Sequence, residues 1–148
     1  MTERAPAAPR YGLGLLAVSA AVVGWWATLA PRSFYDDFPG ASRHWVAADG
    51  PFNEHLVRDV GTLNLALAAV TAFAALRFTT TVARLVSAAW LVYSVPHLAY
   101  HLAHLDTLAA TGDKVALVAT LALTVLVPGY VLARLYRPSP SGRAKPAA

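Results

Sequence analysis

Residues 11–30, YGLGLLAVSAAVVGWWATLA, carry no charged side chain. Twenty helical residues at about 1.5 Å each make a rod of about 30 Å, the thickness of a bilayer's hydrocarbon core. Three more uncharged runs follow: 60–76 between Asp59 and Arg77, 85–100 between Arg84 and His101, and 115–133 between Lys114 and Arg134. The last run spans a bilayer unaided. The two middle runs reach across once their flanking polar residues are placed at the interface. The expected fold is therefore all-α: an integral membrane four-helix bundle with helices at about 11–30, 54–77, 82–105 and 114–136.

Composition agrees. The 148 residues allow one domain, 57% are apolar and 14% are charged, and the mean hydropathy is +0.48. Soluble domains carry about 25% charge. A disordered chain, a disulfide scaffold (there is no cysteine) and most soluble enzymes do not fit. The net charge of +4 raises nucleic acid as a partner, but no basic helix or RNA-binding aromatic motif occurs, so none is expected. The first run reads as a retained span. Trp25 and Trp26 are bulky for a signal peptide, and a cut after Ala30 would leave Pro31 at the new terminus. Residues 1–10 and 137–148 read as tails, the second rich in Pro, Ser and Ala and expected to be disordered.

Four spans place both termini on one side, with the connection near 78–81. That side holds Arg4, Arg10, Arg77, Arg84, Arg134, Arg137, Arg143 and Lys145, eight of the twelve basic residues. The other side holds seven of the eight acidic residues and all five histidines. By the positive-inside rule the expected location is the cell membrane, multi-pass, with both termini cytoplasmic and any chemistry on the outer side.

The long outer connection, residues 31–53, carries Phe34, Tyr35, Phe38, Trp45 and Phe52 among charges. Such aromatics suit the headgroup region, so an anchored interfacial loop is favoured over a ligand-gating lid. Ser42 is a candidate N-cap for a short helix through Ala48, ended by Gly50 and Pro51.

The second and third helices concentrate polar groups at their outer ends. Glu54, His55, Arg58, Asp59 and Thr62 fall within an arc of about 140°, and Trp90, Tyr93, His97, Tyr100, His101 and His104 within about 100°. A hairpin turning between Thr79 and Thr80 puts residues whose numbers sum to about 159 at equal depth: His55 with His104, Arg58 with His101, Thr62 with His97. Lipid penalises such faces, so the two stripes are expected to turn inward or toward each other. Asn64 and Thr71 lie on another face, as glue for a helix contact. Pro96 is expected to kink the third helix and open space at His97.

Three functional readings compete. His97, His101 and His104 have the i, i+4, i+7 spacing of ligands for a metal ion, and paired histidines on facing helices are a haem option. Asp59, Arg58 and the histidines are alternatively a proton relay beside a quinone-type pocket closed by Trp90, Tyr93 and Tyr100. Third, Glu54–Arg58 and His55–Asp59 are i, i+4 pairs that support a helix start, in a binding or accessory protein whose partners are the lipid bilayer and a homo-oligomer or larger membrane complex. This third reading is favoured. No nucleophile triad, phosphate loop or HExxH sequence occurs; Asp59 and His97 are the acid/base candidates if there is catalysis.

The order TLAPRSFYDDFPG (28–40), GPFNEHLVRDVGTLNLALA (50–68) and WLVYSVPHLAYHLAHLD (90–106) resembles small actinobacterial four-helix membrane proteins, broadly DoxX-like, over about residues 11–136. The resemblance implies the fold and the membrane location. The wider DoxX-like group includes subunits linked to quinone-dependent sulfur oxidation, which implies a quinone as one candidate ligand. No catalytic motif of that group is matched residue by residue.

Overall fold

The computed structural model describes residues 7–136. The described residues fold into five α-helices: α1 (Ala7–Leu29), α2 (Pro31–Asp37), α3 (Glu54–Leu76), α4 (Thr80–Ala103) and α5 (Thr111–Leu135). Short 3-10 turns occupy Ala47–Asp49 and Leu105–Thr107, and no strand occurs among the described residues. The four long helices are each long and apolar enough to cross a membrane, the architecture of a multi-pass membrane protein. Exposed Leu15, Val18, Val22, Leu63, Val70, Phe73, Leu85, Val92, Leu123 and Leu126 form an apolar outer surface of the kind that faces lipid. Of the expected tails, 1–10 and 137–148, residues 7–10 instead form the first turn of α1, and 1–6 and 137–148 lie outside the described residues.

Local signals start the helices. Asn53 caps α3 by accepting from Leu56 N at 3.1 Å, and Thr79 caps α4 by accepting from Val82 N at 3.3 Å. Each side-chain oxygen satisfies a backbone donor that has no intrahelical partner. Pro96 and Pro128 lie inside α4 and α5, and both helices continue through them.

Small residues decide which helices meet. α1 packs along α3, and α4 along α5, with α1 also touching α5. A Cβ on Gly24 would lie 2.8 Å from the backbone N of Leu65, and one on Gly61 would lie 2.7 Å from that of Thr28. Only two glycines let these backbones approach so closely, with no side chain between them. Ala17, Ala20 and Ala27 continue the buried face of α1, and Ala68, Thr71 and Ala74 that of α3. α3 and α4 touch more sparingly. Their link is polar: buried Trp90 donates Nε1–H to Thr71 Oγ1 at 2.9 Å, and Thr71 donates to the Leu67 carbonyl at 2.6 Å.

Basic side chains close the helix ends. Arg10 Nε donates to the Ala75 carbonyl of α3 at 3.0 Å, Arg84 to the Leu135 carbonyl of α5, and Arg58 to the Thr28 carbonyl of α1. The last turn of a helix leaves carbonyls unpaired at its negative dipole end, and a guanidinium from the antiparallel neighbour answers both needs. These contacts also fix the alternation. The start of α1, the end of α3, the start of α4 and the end of α5 share one end of the bundle, called here the terminal end; the 30–53 connection lies at the other, the loop end.

The connection itself differs from expectation. Its helix is Pro31–Asp37, not one capped by Ser42, which sits at φ 58°, in the left-handed region. Pro31 supplies the fixed φ of a first helical residue and has no N–H to leave unpaired. Arg32–Asp36 and Ser33–Asp37 hydrogen bonds at 2.6 and 3.0 Å reinforce the helix at i, i+4. The Asp36 hydrogen bond also raises the Arg32 guanidinium above its ordinary pKa. Of the five aromatics in the connection, Phe34 and Trp45 are buried, and Phe38 and Phe52 are partly buried beside them. Phe34 is buried with Ala27 and Val57, and Trp45 with Leu108 and Leu117, the two groups joined through Phe38.

Candidate functional site

The two polar stripes do not face each other. On α3 the outer residues are occupied with their own helix and with α1. Arg58 bonds Glu54 through Nε at 2.9 Å as well as capping α1, and Thr62 donates to the Asp59 carbonyl at 3.1 Å. His55 lies 3.5 Å from Asp59 with its side chain 87% exposed. These five residues make a helix start with one interhelical cap. The close α1–α3 seam through Gly24 and Gly61 turns Arg58 toward Thr28 and away from α4.

The face of α4 is different. Trp90, Tyr93, His97 and His101 form a continuous ladder of rings. Trp90 meets Tyr93 edge-on at 6.2 Å, Tyr93 stacks on His97 at 5.2 Å with 19° between planes, and His97 meets His101 edge-on at 4.8 Å. The i, i+3 and i, i+4 spacing of these residues on one helix produces the ladder directly. At its inner end Trp90 is tied to Thr71 of α3. At its outer end His101 Nδ1 lies 3.9 Å from Asp49 Oδ2, with the imidazole only 14% exposed. Trp90 itself is core, 2% exposed among Leu13, Leu16, Val86 and Val131.

Tyr100 and His104 lie to one side. Their rings stack at 4.2 Å, Tyr100 meets His101 edge-on at 5.4 Å, and His104 Nδ1 lies 2.7 Å from the Tyr100 carbonyl at the end of α4. His97, His101 and His104 thus do not converge on one point. Among the described residues no three His, Asp or Glu side chains are grouped so as to hold a metal ion.

Asp49 is the residue that spacing did not reveal. It enters the site because the connection is pinned at both flanks. Arg43 pairs with Asp113 at the start of α5 at 3.0 Å, and Tyr35 donates to the Gly50 carbonyl at 2.6 Å. His44 Nδ1 bonds the Asp36 carbonyl, and Trp45 seats the middle of the segment against the last helix. The one legible hint was Asp49-Gly50-Pro51, a turn that carries a carboxylate.

The resulting arrangement runs from the connection down the face of α4: one carboxylate, two imidazoles and one phenol. It can donate and accept hydrogen bonds at successive levels, and the α3–α4 hydrogen bond among the described residues, Trp90–Thr71, lies inward of it. No protein-family model, curated protein or solved structure matches the chain.

Proposed function

We propose that this chain is a membrane-embedded binding or accessory protein. Its recognition site is the loop-end face of α4, where Tyr93, His97 and His101 lie beneath Asp49. The observation that carries this reading is the ladder itself, with Asp49 held 3.9 Å from His101 and Tyr93 stacked on His97. Ionisable groups at such depth are costly unless partnered, and they mark sites more often than they decorate surfaces. The α3–α4 hydrogen bond among the described residues, Trp90–Thr71, lies inward of Tyr93, so a molecule with its apolar body along α4 would place its polar head at His97, His101 and Asp49. An amphipathic small molecule fits this description. A quinone headgroup is the second reading within the same class, favoured by the near-parallel Tyr93–His97 rings and by the DoxX-like resemblance. Its carbonyl oxygens accept from imidazole N–H groups and its ring stacks on theirs.

The orientation that belongs with this reading puts both termini in the cytoplasm and the site on the outer side, from the distribution of Arg and Lys. The test compares organic extracts of the purified wild type and a His97→Ala/His101→Ala variant by mass spectrometry, with added menaquinone as a defined probe. The expected result is a lipid-phase molecule, or the probe, retained by the wild type and lost by a variant that still unfolds cooperatively. Identical extracts and identical probe retention overturn the proposal.

A further inference from the structure

Charge is balanced differently at the two ends of the bundle. At the loop end every arginine has a carboxylate: Arg32 with Asp36, Arg43 with Asp113, Arg58 with Glu54. At the terminal end Arg10, Arg77, Arg84 and Arg134 have none among the described residues, and Glu3 is the one acidic side chain the sequence places there. The fold gathers these four into two groups. Arg10 is drawn to the Ala75 carbonyl, two residues before Arg77. Arg84 is drawn to the Leu135 carbonyl, one residue after Arg134, and lies 4.1 Å over the Tyr136 ring with its Nε buried and unpartnered.

Helix-end carbonyls offset part of this charge. Those carbonyls carry only partial charge, so four arginines with no carboxylate among the described residues leave this end positive, and the arrangement calls for an anion. Exposed Tyr11, Tyr130 and Tyr136 mark the same level as a membrane–water interface, and apolar Leu15, Leu85 and Leu126 begin the lipid-facing surface beside it.

We propose that each arginine pair binds the phosphodiester headgroup of an anionic phospholipid, with its acyl chains along the adjoining apolar helix faces. Guanidinium forks match phosphate oxygens in geometry and charge. The membrane supplies that group at this depth, and the proposal is independent of the site on α4.

The test uses the full chain purified in detergent with phosphatidylglycerol, phosphatidylcholine or inorganic phosphate added, retention being read by native mass spectrometry. The wild type is expected to retain phosphatidylglycerol and release phosphatidylcholine, with inorganic phosphate failing to displace the lipid. Arg77→Gln/Arg134→Gln removes two guanidiniums that cap no helix. It is expected to lower retention on the order of tenfold without lowering the unfolding temperature. Equal retention of the two lipids by the wild type overturns the proposal. So does unchanged retention by the variant, or displacement by inorganic phosphate, which would make this a site for a free anion.

Discussion

At the scale of single residues, two glycines, Gly24 and Gly61, and three arginines, Arg10, Arg58 and Arg84, do most of the specifying. Gly61 and Gly14 are chemically identical and both helical, yet their surroundings give substitutions opposite signs. A Cβ at Gly61 meets Thr28 N at 2.7 Å, so Gly61→Ala forces α1 and α3 apart and loses the contacts along their seam. Overpacking of that kind costs about 1–3 kcal/mol. A Cβ at Gly14 meets nothing within 4 Å, so Gly14→Ala only restricts the unfolded chain and gains about 0.5–1 kcal/mol of helix preference. Reversible unfolding of the two variants in one detergent measures both, and equal effects would overturn the packing account. The same reasoning reassigns Arg58. Its carboxylate neighbour and charge made it look like site chemistry, whereas its hydrogen bonds to Glu54 and to the end of α1 make it a helix cap.

At the scale of elements, the connection between α1 and α3 is a folded part of the molecule, held by side chains from its whole length. The Arg43–Asp113 pair is the clamp that joins it to α5. Its side chains are 44% and 24% exposed, so it contributes only about 0.5–1 kcal/mol. Arg43→Asp is expected to speed hydrogen exchange across residues 43–50 while leaving the long helices protected. Arg43→Asp combined with Asp113→Arg is expected to restore protection; failure of that exchange to recover would show that the clamp is incidental. Much of the long-helix layout was legible because a run of twenty uncharged residues has few alternatives to a membrane helix. Even the α3–α4 register was close: Thr71 pairs with Trp90, near the level where residue numbers sum to 159. The pairing of α1 with α3 was not legible. A stripe such as Ala17, Ala20, Gly24 and Ala27 identifies a close contact only once its partner is known. Asp49 escaped for a related reason, since its place beside His101 depends on Pro31 starting α2 and on Trp45 and Arg43 reaching α5, contacts distant in sequence.

At the scale of the whole molecule, the question is which way the bundle crosses the membrane, and the chain offers an unusually clean way to ask. Its arginines are neutralised by carboxylates at the loop end and have none among the described residues at the terminal end, so the proposed orientation, by the positive-inside rule, puts the terminal end in the cytoplasm. The sequence has no cysteine, so a single introduced thiol reports one location without background. Ser42 is exposed in the loop-end connection and Thr81 is exposed at the terminal end, and neither side chain makes a hydrogen bond among the described residues. Ser42→Cys is expected to react with a membrane-impermeant maleimide in intact cells. Thr81→Cys is expected to react only after permeabilisation. The reverse pattern would invert the molecule and move the Tyr93–His97–His101 ladder to the cytoplasmic leaflet. Its ligand would then come from the inner side, while the arginine pairs would meet outer-leaflet headgroups. The ring ladder and the helix caps would be unaltered, because both are properties of the fold and indifferent to the direction in which it is inserted.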